Sequence, residues 1–302
     1  MGIDNTIYCR ACGTGIENSV KNQYAFCPRC KSANYFPENT ADDDNRNYFN
    51  VNRNNSVLPT REKLFLGFNF VHSLFHMKET NAFRAILRRI ENIIVRAHKS
   101  VEIGFGGGDE LSRYLASGAN IYGIDLAEAA VLNFRNKYSQ WGSRVFCGRG
   151  QDLSFRVDAV YSNALFEHLD SPDDFLNNIS AMLSGDGFLV MRLPMITHNK
   201  EGYHNDINFW MPCHRILYTS AGFNISMARH GFSVIASAQL SYYGYAVMNR
   251  MLALGYDDII SVRNPYCEVQ KLNSEIDYLS ILMRGLFILP VCSDVAIIAK
   301  KN

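Results

Sequence analysis

The fold is decided by VEIGFGGGD at residues 101–109 and IYGID at residues 121–125. The first stretch is an apolar strand that runs into a glycine turn, and the second is an apolar strand that ends on Asp125. Glycines let backbone N–H groups approach a ligand at a helix N-terminus. Asp125 lies about 20 residues after the first glycine, where a carboxylate can accept hydrogen bonds from ribose hydroxyls. This order predicts a nucleoside-cofactor site in a Rossmann-like βαβ unit.

The spacing of the glycines distinguishes two kinds of nucleotide site. A dinucleotide site has Gly-x-Gly-x-x-Gly, whereas this chain has Gly104-x-Gly106-x-Gly108, preceded by Glu102. An acid in the first strand would repel a pyrophosphate but suits a cationic ligand. The pattern resembles the first motif of the class I S-adenosylmethionine-dependent methyltransferases, (Asp/Glu)-x-Gly-x-Gly-x-Gly. The resemblance implies that the glycine loop lies against the methionine and ribose part of the cofactor and that Asp125 holds the ribose.

Composition and charge exclude several other classes. Hydrophobic residues make up 47% and charged residues 20% of the 302 positions, which allows one large domain and a small module. A net charge of +1 and a pI near 7.6 argue against a nucleic-acid or membrane partner. Polar residues after Met1 argue against a signal peptide, and charges and Pro290 interrupt the apolar run at 281–299. Four scattered cysteines outside the N-terminal pattern favour a reducing, cytoplasmic setting.

Two Cys-x-x-Cys knuckles, Cys9/Cys12 and Cys27/Cys30, are separated by fourteen residues. This spacing predicts a closed tetrahedral zinc site with four cysteine ligands, with disulfides or a redox pair as the alternatives. A closed site has no open coordination position, so the zinc is expected to be structural. Few apolar residues surround the knuckles, so residues 1–36 are expected to need the metal to fold.

An Asn-rich segment, residues 37–60, is predicted to be a linker. Residues 61–98 carry apolar side chains at helical spacing and are predicted to form helices ahead of the first strand. The order of two knuckles, an aromatic, Pro37 and a later Tyr resembles the zinc-ribbon leader of bacterial methyltransferases from polysaccharide and natural-product gene clusters. This extends the resemblance to nearly the whole chain.

The segment at residues 148–155 follows a predicted third strand and resembles the family's adenine loop. In the family an acid usually follows the first glycine of this loop, but the chain has Arg149 there. Asp152 is the candidate substitute, and backbone groups are the alternative. The predicted cofactor contacts are Glu102, Gly104, Gly106, Gly108, Asp125, Asp152 and Asn163.

A fourth strand is predicted at residues 157–163, and open α/β sheets bind ligands beyond the carboxyl ends of such strands. The following Glu167-His168-Leu169 resembles a signature of small-molecule methyltransferases. Some relatives hold a metal with this Glu-His pair and an acid three residues earlier, but Ala164 stands there, so no catalytic metal is expected. Glu167 and His168 are the predicted catalytic residues, with His168 as the base that takes the acceptor's proton. A histidine that only orders the loop is the alternative.

Polar and aromatic side chains follow the fifth predicted strand, within residues 195–218. This concentration is typical of a lid over a substrate. The predicted acceptor contacts are Tyr203, His204, Asp206, Trp210 and His214. Beyond the lid, we expect a sixth strand at 232–240, a helical insertion at 241–292 near the acceptor site or a dimer interface, and an antiparallel seventh strand at 294–300.

The sequence therefore predicts an α/β protein: a Rossmann-like, seven-stranded methyltransferase sheet over residues 61–302, with a small N-terminal zinc ribbon built on four cysteines. The resemblance implies in-line methyl transfer from S-adenosylmethionine to a sugar, nucleotide-sugar or natural-product intermediate. One alternative is a ribosomal or transfer RNA base methyltransferase, against which the near-neutral charge argues. Another is a non-catalytic binding module, which the departures at Phe105 and Arg149 keep open.

Overall fold

The structure is a computed structural model, and it describes residues 6–17, 24–36, 81–153, 155–197, 207–210, 213–240 and 292–302. None of the helices in these ranges is long and apolar enough to cross a membrane. The predicted linker, residues 198–206, 211 and 212 of the lid, and residues 241–291 of the insertion lie outside the described residues. The linker and the insertion stay predictions, and so does the part of the lid that is not described.

Strands of the described residues fall into an N-terminal group and a central group. The N-terminal strands are β1 (Thr6–Tyr8), β2 (Gly15–Glu17), β3 (Tyr24–Phe26) and β4 (Ala33–Tyr35). The central strands are β5 (Ser100–Ile103), β6 (Ile121–Asp125), β7 (Val145–Cys147), β8 (Val157–Asn163), β9 (Leu183–Ile196), β10 (Ile216–Thr219), β11 (Phe232–Leu240) and β12 (Cys292–Lys301).

Helices follow most of the central strands and cover the sheet. They are α1 (Asn81–Arg96), α2 (Asp109–Ala116), α3 (Glu128–Lys137), α4 (Pro172–Met182), the single turn α5 (Ile207–Trp210) and α6 (Ser220–Arg229). Local signals set the start of α4, where the Ser171 hydroxyl accepts the Asp174 N–H and Pro172 takes the first helical position.

The predicted α/β fold is confirmed. Strands β7, β6, β5, β8 and β9 lie side by side and parallel, and β12 pairs antiparallel with both β9 and β11. If β5, β6, β7, β8, β9, β11 and β12 are numbered 1 to 7, as the seven strands predicted from sequence, their order in the sheet is 3-2-1-4-5-7-6. The final strand is antiparallel as expected, and the fifth strand is longer than expected, since it begins at Leu183 and includes Gly185–Gly187.

Alternate residues of the strands face two hydrophobic layers. On one face, Val190 and Tyr161 pack with side chains of α1, α2 and α3. On the other face, Leu189 and Met191 pack with side chains of α4 and α6, and the four N-terminal cysteines belong to this same layer. The period of two along each strand therefore divides the core into layers that bury both faces of the sheet.

The N-terminal module is joined to the sheet, which the sequence did not predict. We call residues 6–17 and 24–36 the four-cysteine module. Its β4 pairs antiparallel with β10 (Ile216↔Asn34), and β10 pairs parallel with the end of β9 (Tyr218↔Met195). Strand β9 has β8 along one edge and β12 along the other. Strand β10 therefore pairs with β9 on the β8 edge, beyond the point where β8 ends.

The predicted lid at 195–218 is corrected at both ends by this pairing. Met195 and Ile196 belong to β9, and Ile216–Thr219 is strand β10. Both stretches are almost entirely buried, because their apolar side chains pack in the core. The segment that could cover a substrate is therefore shorter than the sequence suggested.

Candidate functional site

The glycine turn adopts a backbone conformation that L side chains rarely take. Gly104, Gly106 and Gly108 have φ of 73°, 53° and 73°. A Cβ on Gly108 would lie 2.2 Å from the Phe134 ring. Glycine is therefore required here both for the left-handed backbone and for the close approach of α3.

Asp125 ends β6 as predicted and faces the glycine turn. Its Oδ2 accepts the Gly106 N–H at 2.8 Å, and its Oδ1 accepts the Ala127 N–H at 2.9 Å. The carboxylate is only partly buried, and each oxygen keeps a lone pair for a further donor. The predicted ribose-binding acid is thus held rigidly against the loop.

Glu102 lies beneath the same turn and is buried, with 3% of its surface exposed. Its Oε2 has no hydrogen-bond partner among the described residues. Burial, and then the charges of Glu110 and Asp125, raise the pKa of the Glu102 carboxyl well above its usual value. A cation bound at the turn would relieve this cost, so the donor set suits a positively charged ligand.

Phe105, where the family usually has a small residue, points into the core. It is 5% exposed and meets the Phe134 ring edge-on, with centroids 5.5 Å apart. A Cβ on Gly123 would lie 2.8 Å from the Phe105 ring. Gly123 therefore makes room for the larger side chain, and the departure from the family pattern does not fill the cofactor side of the turn.

A network of charged and polar side chains lies where β8 and β9 leave the core, and sequence reasoning missed most of it. The Glu110 carboxylate accepts hydrogen bonds from Tyr161 Oη and, at 3.3 Å, from Asn163 Nδ2. Arg192 Nη1 lies 3.2 Å from Glu110 Oε1, and Arg192 Nη2 lies 3.7 Å from Asp294 Oδ2. Of these residues only Asn163 was predicted. Glu110 was missed because an acid in the first turn of a helix is easily explained by the helix dipole alone.

Asp152, the predicted adenine contact, binds its own loop. Its Oδ2 accepts the Arg149 N–H at 2.6 Å, and the residue is exposed. The side chain thereby closes the single-turn helix Gly150–Asp152. Its predicted contact with an adenine stays a prediction.

The predicted catalytic pair lies in the single-turn helix Phe166–His168, directly after β8. Ala164 enters this turn with φ 48°, an uncommon conformation for a residue with a Cβ. Glu167 is 1% exposed, and burial and then the Asp294 charge raise its pKa to about 8. Burial lowers the pKa of His168 to about 4, so the imidazole is neutral at pH 7 and a weaker base than the sequence-based hypothesis assumes.

Of the predicted acceptor contacts, the structure places His214 beside this pair. The His168 and His214 rings lie 4.8 Å apart; His214 is buried, and the His168 side chain is 10% exposed. Tyr203, His204 and Asp206 lie outside the described residues. Trp210 ends the single turn α5, and its side chain is not described.

The four N-terminal cysteines form one buried cluster. All four Sγ atoms lie within 4.8 Å of one another, with Cys9–Cys30 at 3.6 Å and Cys12–Cys27 at 3.5 Å. The knuckles are built alike, since Gly13 N–H donates to Cys9 O and Lys31 N–H donates to Cys27 O. None of the described cysteines forms a disulfide.

Hydrogen bonds from the four-cysteine module hold the segment that carries His214. Tyr24 Oη donates to His214 O at 2.8 Å, and Tyr35 N–H donates to Arg215 O at 2.9 Å. Arg215 N–H in turn donates to Glu167 O at 2.7 Å. A continuous set of hydrogen bonds therefore joins the four-cysteine module to the predicted catalytic turn.

Comparison with known proteins identifies the class of this architecture. Residues 101–191, from β5 into β9, match a family described as a methyltransferase domain. This part of the chain is similar to a methyltransferase domain, and the predicted class of enzyme is confirmed. No curated protein sequence matches the chain.

Solved structures share the fold at low sequence identity. A candidate sarcosine dimethylglycine methyltransferase from Galdieria sulphuraria has a TM-score of 0.51 and 13% identity, over 86% of this chain and 99% of that one. An O-methyltransferase of a polyketide synthase multienzyme of Brevibacillus brevis, in complex with S-adenosyl-L-homocysteine, has a TM-score of 0.50 and 12% identity, over 81% of each chain. A mycolic acid cyclopropane synthase has a TM-score of 0.50 and 15% identity, over 75% of this chain and 86% of that one.

Proposed function

We propose that the protein transfers a methyl group from S-adenosylmethionine to a small-molecule acceptor. The observation that carries the proposal is the turn between Glu102 and Asp125. A buried carboxyl with an unpaired oxygen, three left-handed glycines and a fixed carboxylate at the end of β6 lie around one loop. This donor set suits a ligand that combines a cationic centre with a ribose.

Each residue of the turn has a distinct role in the proposal. Asp125 would accept the ribose hydroxyls, because its oxygens retain lone pairs beside the Gly106 N–H. Glu102 would favour a positive charge above the loop. When bound, the cofactor supplies an activated methyl group, so the residues around it have only to align the acceptor, exclude water and remove a proton.

The acceptor side of the proposed site is the edge at which β8 ends. Asn163 and the Glu110–Arg192 pair face the same region and offer both donors and acceptors of hydrogen bonds. Such a polar surface suits a hydroxyl-rich molecule, and a sugar, nucleotide-sugar or natural-product intermediate is the proposed class. The solved O-methyltransferase belongs to a polyketide synthase multienzyme, which is compatible with a natural-product acceptor. The catalytic role that the sequence predicts for Glu167 and His168 stays a prediction.

We propose in addition that the four-cysteine module binds a structural Zn²⁺. Sulfur ligands at about 2.3 Å around a tetrahedral zinc are about 3.8 Å apart, close to the observed separations of 3.5 and 3.6 Å. Asn34 Nδ2 also donates to Cys9 Sγ at 3.5 Å, as expected for a sulfur that carries negative charge. Cys9, Cys12, Cys27 and Cys30 would fill all four positions, which leaves none for a substrate.

Calorimetric titration with S-adenosylmethionine and with S-adenosylhomocysteine tests the proposed cofactor. We expect micromolar binding by the wild type and a loss of at least about tenfold in Asp125→Ala, because one good hydrogen bond to a charged group is worth about 1.5–3 kcal/mol. Asp109→Ala is the matched control, since this acid directly follows Gly108 at the start of α2 and its side chain is 78% exposed.

Failure of the zinc-loaded wild type to bind either molecule would overturn the proposed function. If binding is observed, the acceptor class is tested by incubation with nucleotide-sugars and polyketide intermediates and by mass spectrometry for the gain of one methyl group. A panel of transfer and ribosomal RNA fragments is assayed in parallel. Methylation of these fragments, and not of the small molecules, would instead favour the RNA alternative.

A further inference from the structure

A second cluster of metal-ligating side chains lies at the carboxyl end of β8, separate from the four-cysteine module. His168, Cys213 and His214 each offer one ligand atom, and these atoms all lie within 4.8 Å of one another. Cys213 and His214 are 4% exposed, and the His168 side chain is 10% exposed. The cluster joins two loops that are 45 residues apart in the sequence.

Both histidines are oriented in the way that is common for metal ligands. His168 Nδ1 lies 3.0 Å from Cys213 O, and His214 Nδ1 lies 2.9 Å from Asn208 O. Because a backbone carbonyl can only accept, Nδ1 carries the proton in each ring and Nε2 carries the lone pair. A hydrogen bond from one ring nitrogen to a carbonyl is the arrangement that fixes a histidine for metal binding through the other nitrogen.

Glu167 places a carboxylate next to one member of the cluster, His168. Its Oε1 lies 3.7 Å from His168 Nε2, and oxygen or nitrogen ligands at about 2.0–2.2 Å from a tetrahedral metal are about 3.3–3.6 Å apart. Its Oε2 is buried and has no hydrogen-bond partner among the described residues. An unpaired buried carboxylate oxygen destabilises the folded protein unless a cation or a hydrogen-bond donor satisfies it.

We propose that His168, Cys213, His214 and Glu167 bind a divalent metal ion of the zinc class. Two imidazoles, a thiolate and a carboxylate suit zinc, whereas magnesium and calcium prefer oxygen ligands alone. The thiolate and the carboxylate together balance the charge of the ion. The set also accounts for a buried acid, a buried thiol and two buried histidines at one point, which hydrophobic packing does not require.

The proposed metal would tie the turn after β8 to the segment before β10. With four protein ligands the shell is closed, so the ion is structural. A histidine whose Nε2 binds a metal cannot accept a proton there, so this role of His168 and its predicted role as a base exclude each other. The proposal does not depend on the cofactor or on the acceptor.

The count of bound metal ions tests the proposal in the full-length wild type. The protein is purified, incubated with excess zinc, desalted and analysed by inductively coupled plasma mass spectrometry. We expect about two zinc ions per chain, one for each cluster. A wild-type count of about one or fewer overturns the proposal and needs no variant.

Variants then assign the second ion to this cluster. Cys213→Ser and His214→Gln are expected to lower the count to about one, whereas Cys147→Ser, which alters an exposed thiol, keeps about two. A count that stays near two in both Cys213→Ser and His214→Gln overturns the proposal, because the second ion then binds elsewhere. Circular dichroism checks that each variant is folded before it is counted.

Discussion

The glycine-loop side of the sheet and the His168 side are assembled over very different distances along the chain. Gly106 and Asp125, which hold the loop, are 19 residues apart. Tyr24 and His214, which hold the predicted acceptor side, are 190 residues apart. The glycine-loop side therefore depends on local sequence, whereas the His168 side depends on the four-cysteine module joining the sheet. Variants that affect one side and not the other can test this difference.

The largest effect is expected from Cys30→Ala. Structural zinc contributes roughly 10–16 kcal/mol to the folding of small domains, so we expect loss of the proposed zinc, unfolding of the four-cysteine module and loss of methyl transfer. Binding of S-adenosylhomocysteine should change little, because Glu102–Asp125 makes its contacts locally. Metal analysis, thermal unfolding, a methyl-transfer assay and calorimetry measure these four quantities. Cys147→Ala is the control, and equal losses on both sides of the sheet would contradict the division.

Gly108→Ala tests the glycine-loop side. The added Cβ would lie 2.2 Å from Phe134 on a backbone with φ 73°. Left-handed strain and overpacking together are expected to lower the free energy of unfolding by about 2–5 kcal/mol. Gly118→Ala is the matched control, because its φ is 85° but nothing lies within 4 Å of the added Cβ, so only about 1–2 kcal/mol of strain is expected. Urea denaturation measures both, and equal losses would contradict the predicted clash.

Glu102→Gln tests the buried acid through its pH dependence. Because the folded state raises the pKa of Glu102, the folded protein keeps a proton that the unfolded chain releases above its usual pKa of about 4.5. The wild-type free energy of unfolding should therefore fall as pH rises from that value towards the raised pKa, by about 1.4 kcal/mol in total for each unit by which the pKa is raised. In Glu102→Gln this fall should be absent. The affinity for S-adenosylmethionine should rise with pH in the wild type, and it should rise less in Glu102→Gln. Identical pH profiles for the two proteins would contradict the raised pKa of the buried Glu102 carboxyl.

Tyr24→Phe makes a smaller change on the His168 side. It removes the hydroxyl that donates to His214 O, which is expected to lower the free energy of unfolding by about 1 kcal/mol. The KM for the acceptor should rise while the Kd for S-adenosylhomocysteine stays the same. Tyr8→Phe, at a position 65% exposed, should change neither quantity. A shift in cofactor affinity instead would show that the two sides are not independent.

Lys31→Gly should stabilise the protein slightly. Lys31 and Gly13 occupy equivalent positions of the two knuckles, with φ of 63° and 69°. Glycine relieves about 1–2 kcal/mol of left-handed strain and costs about 0.5–1 kcal/mol of chain entropy, so a net gain of about 0.5–1 kcal/mol is expected. Thermal unfolding with and without a chelator measures the gain, which should disappear once the metal is removed.

The glycine-loop side could be predicted because each of its signals is local. Glu102, the three glycines and Asp125 occupy the places that their spacing indicated, and the structure adds that Gly123 makes room for Phe105. The four cysteines likewise come together as their spacing predicted. In both cases the residues that meet are joined by short stretches of chain.

The other side could not be predicted, because its contacts are distant or depend on burial. Residues 213–218 look like a polar lid until β4 is known to pair with β10 across about 180 residues. Glu110 has the pattern of a helix-capping acid, and only the structure shows Arg192 beside it. His168 looks like a base by residue type, and its lowered pKa follows from burial that a sequence does not display.

The pairing of Asn34 with Ile216 also sets an order of events during synthesis. At about 5–20 residues per second, a ribosome needs roughly 10–40 s to make the chain between these residues. For that time β4 is the open edge of a nascent hairpin, and open edges recruit foreign strands. The proposed zinc, if bound early, would hold the hairpin in shape until β10 emerges, so zinc supply during translation would affect the yield of folded protein as well as its stability.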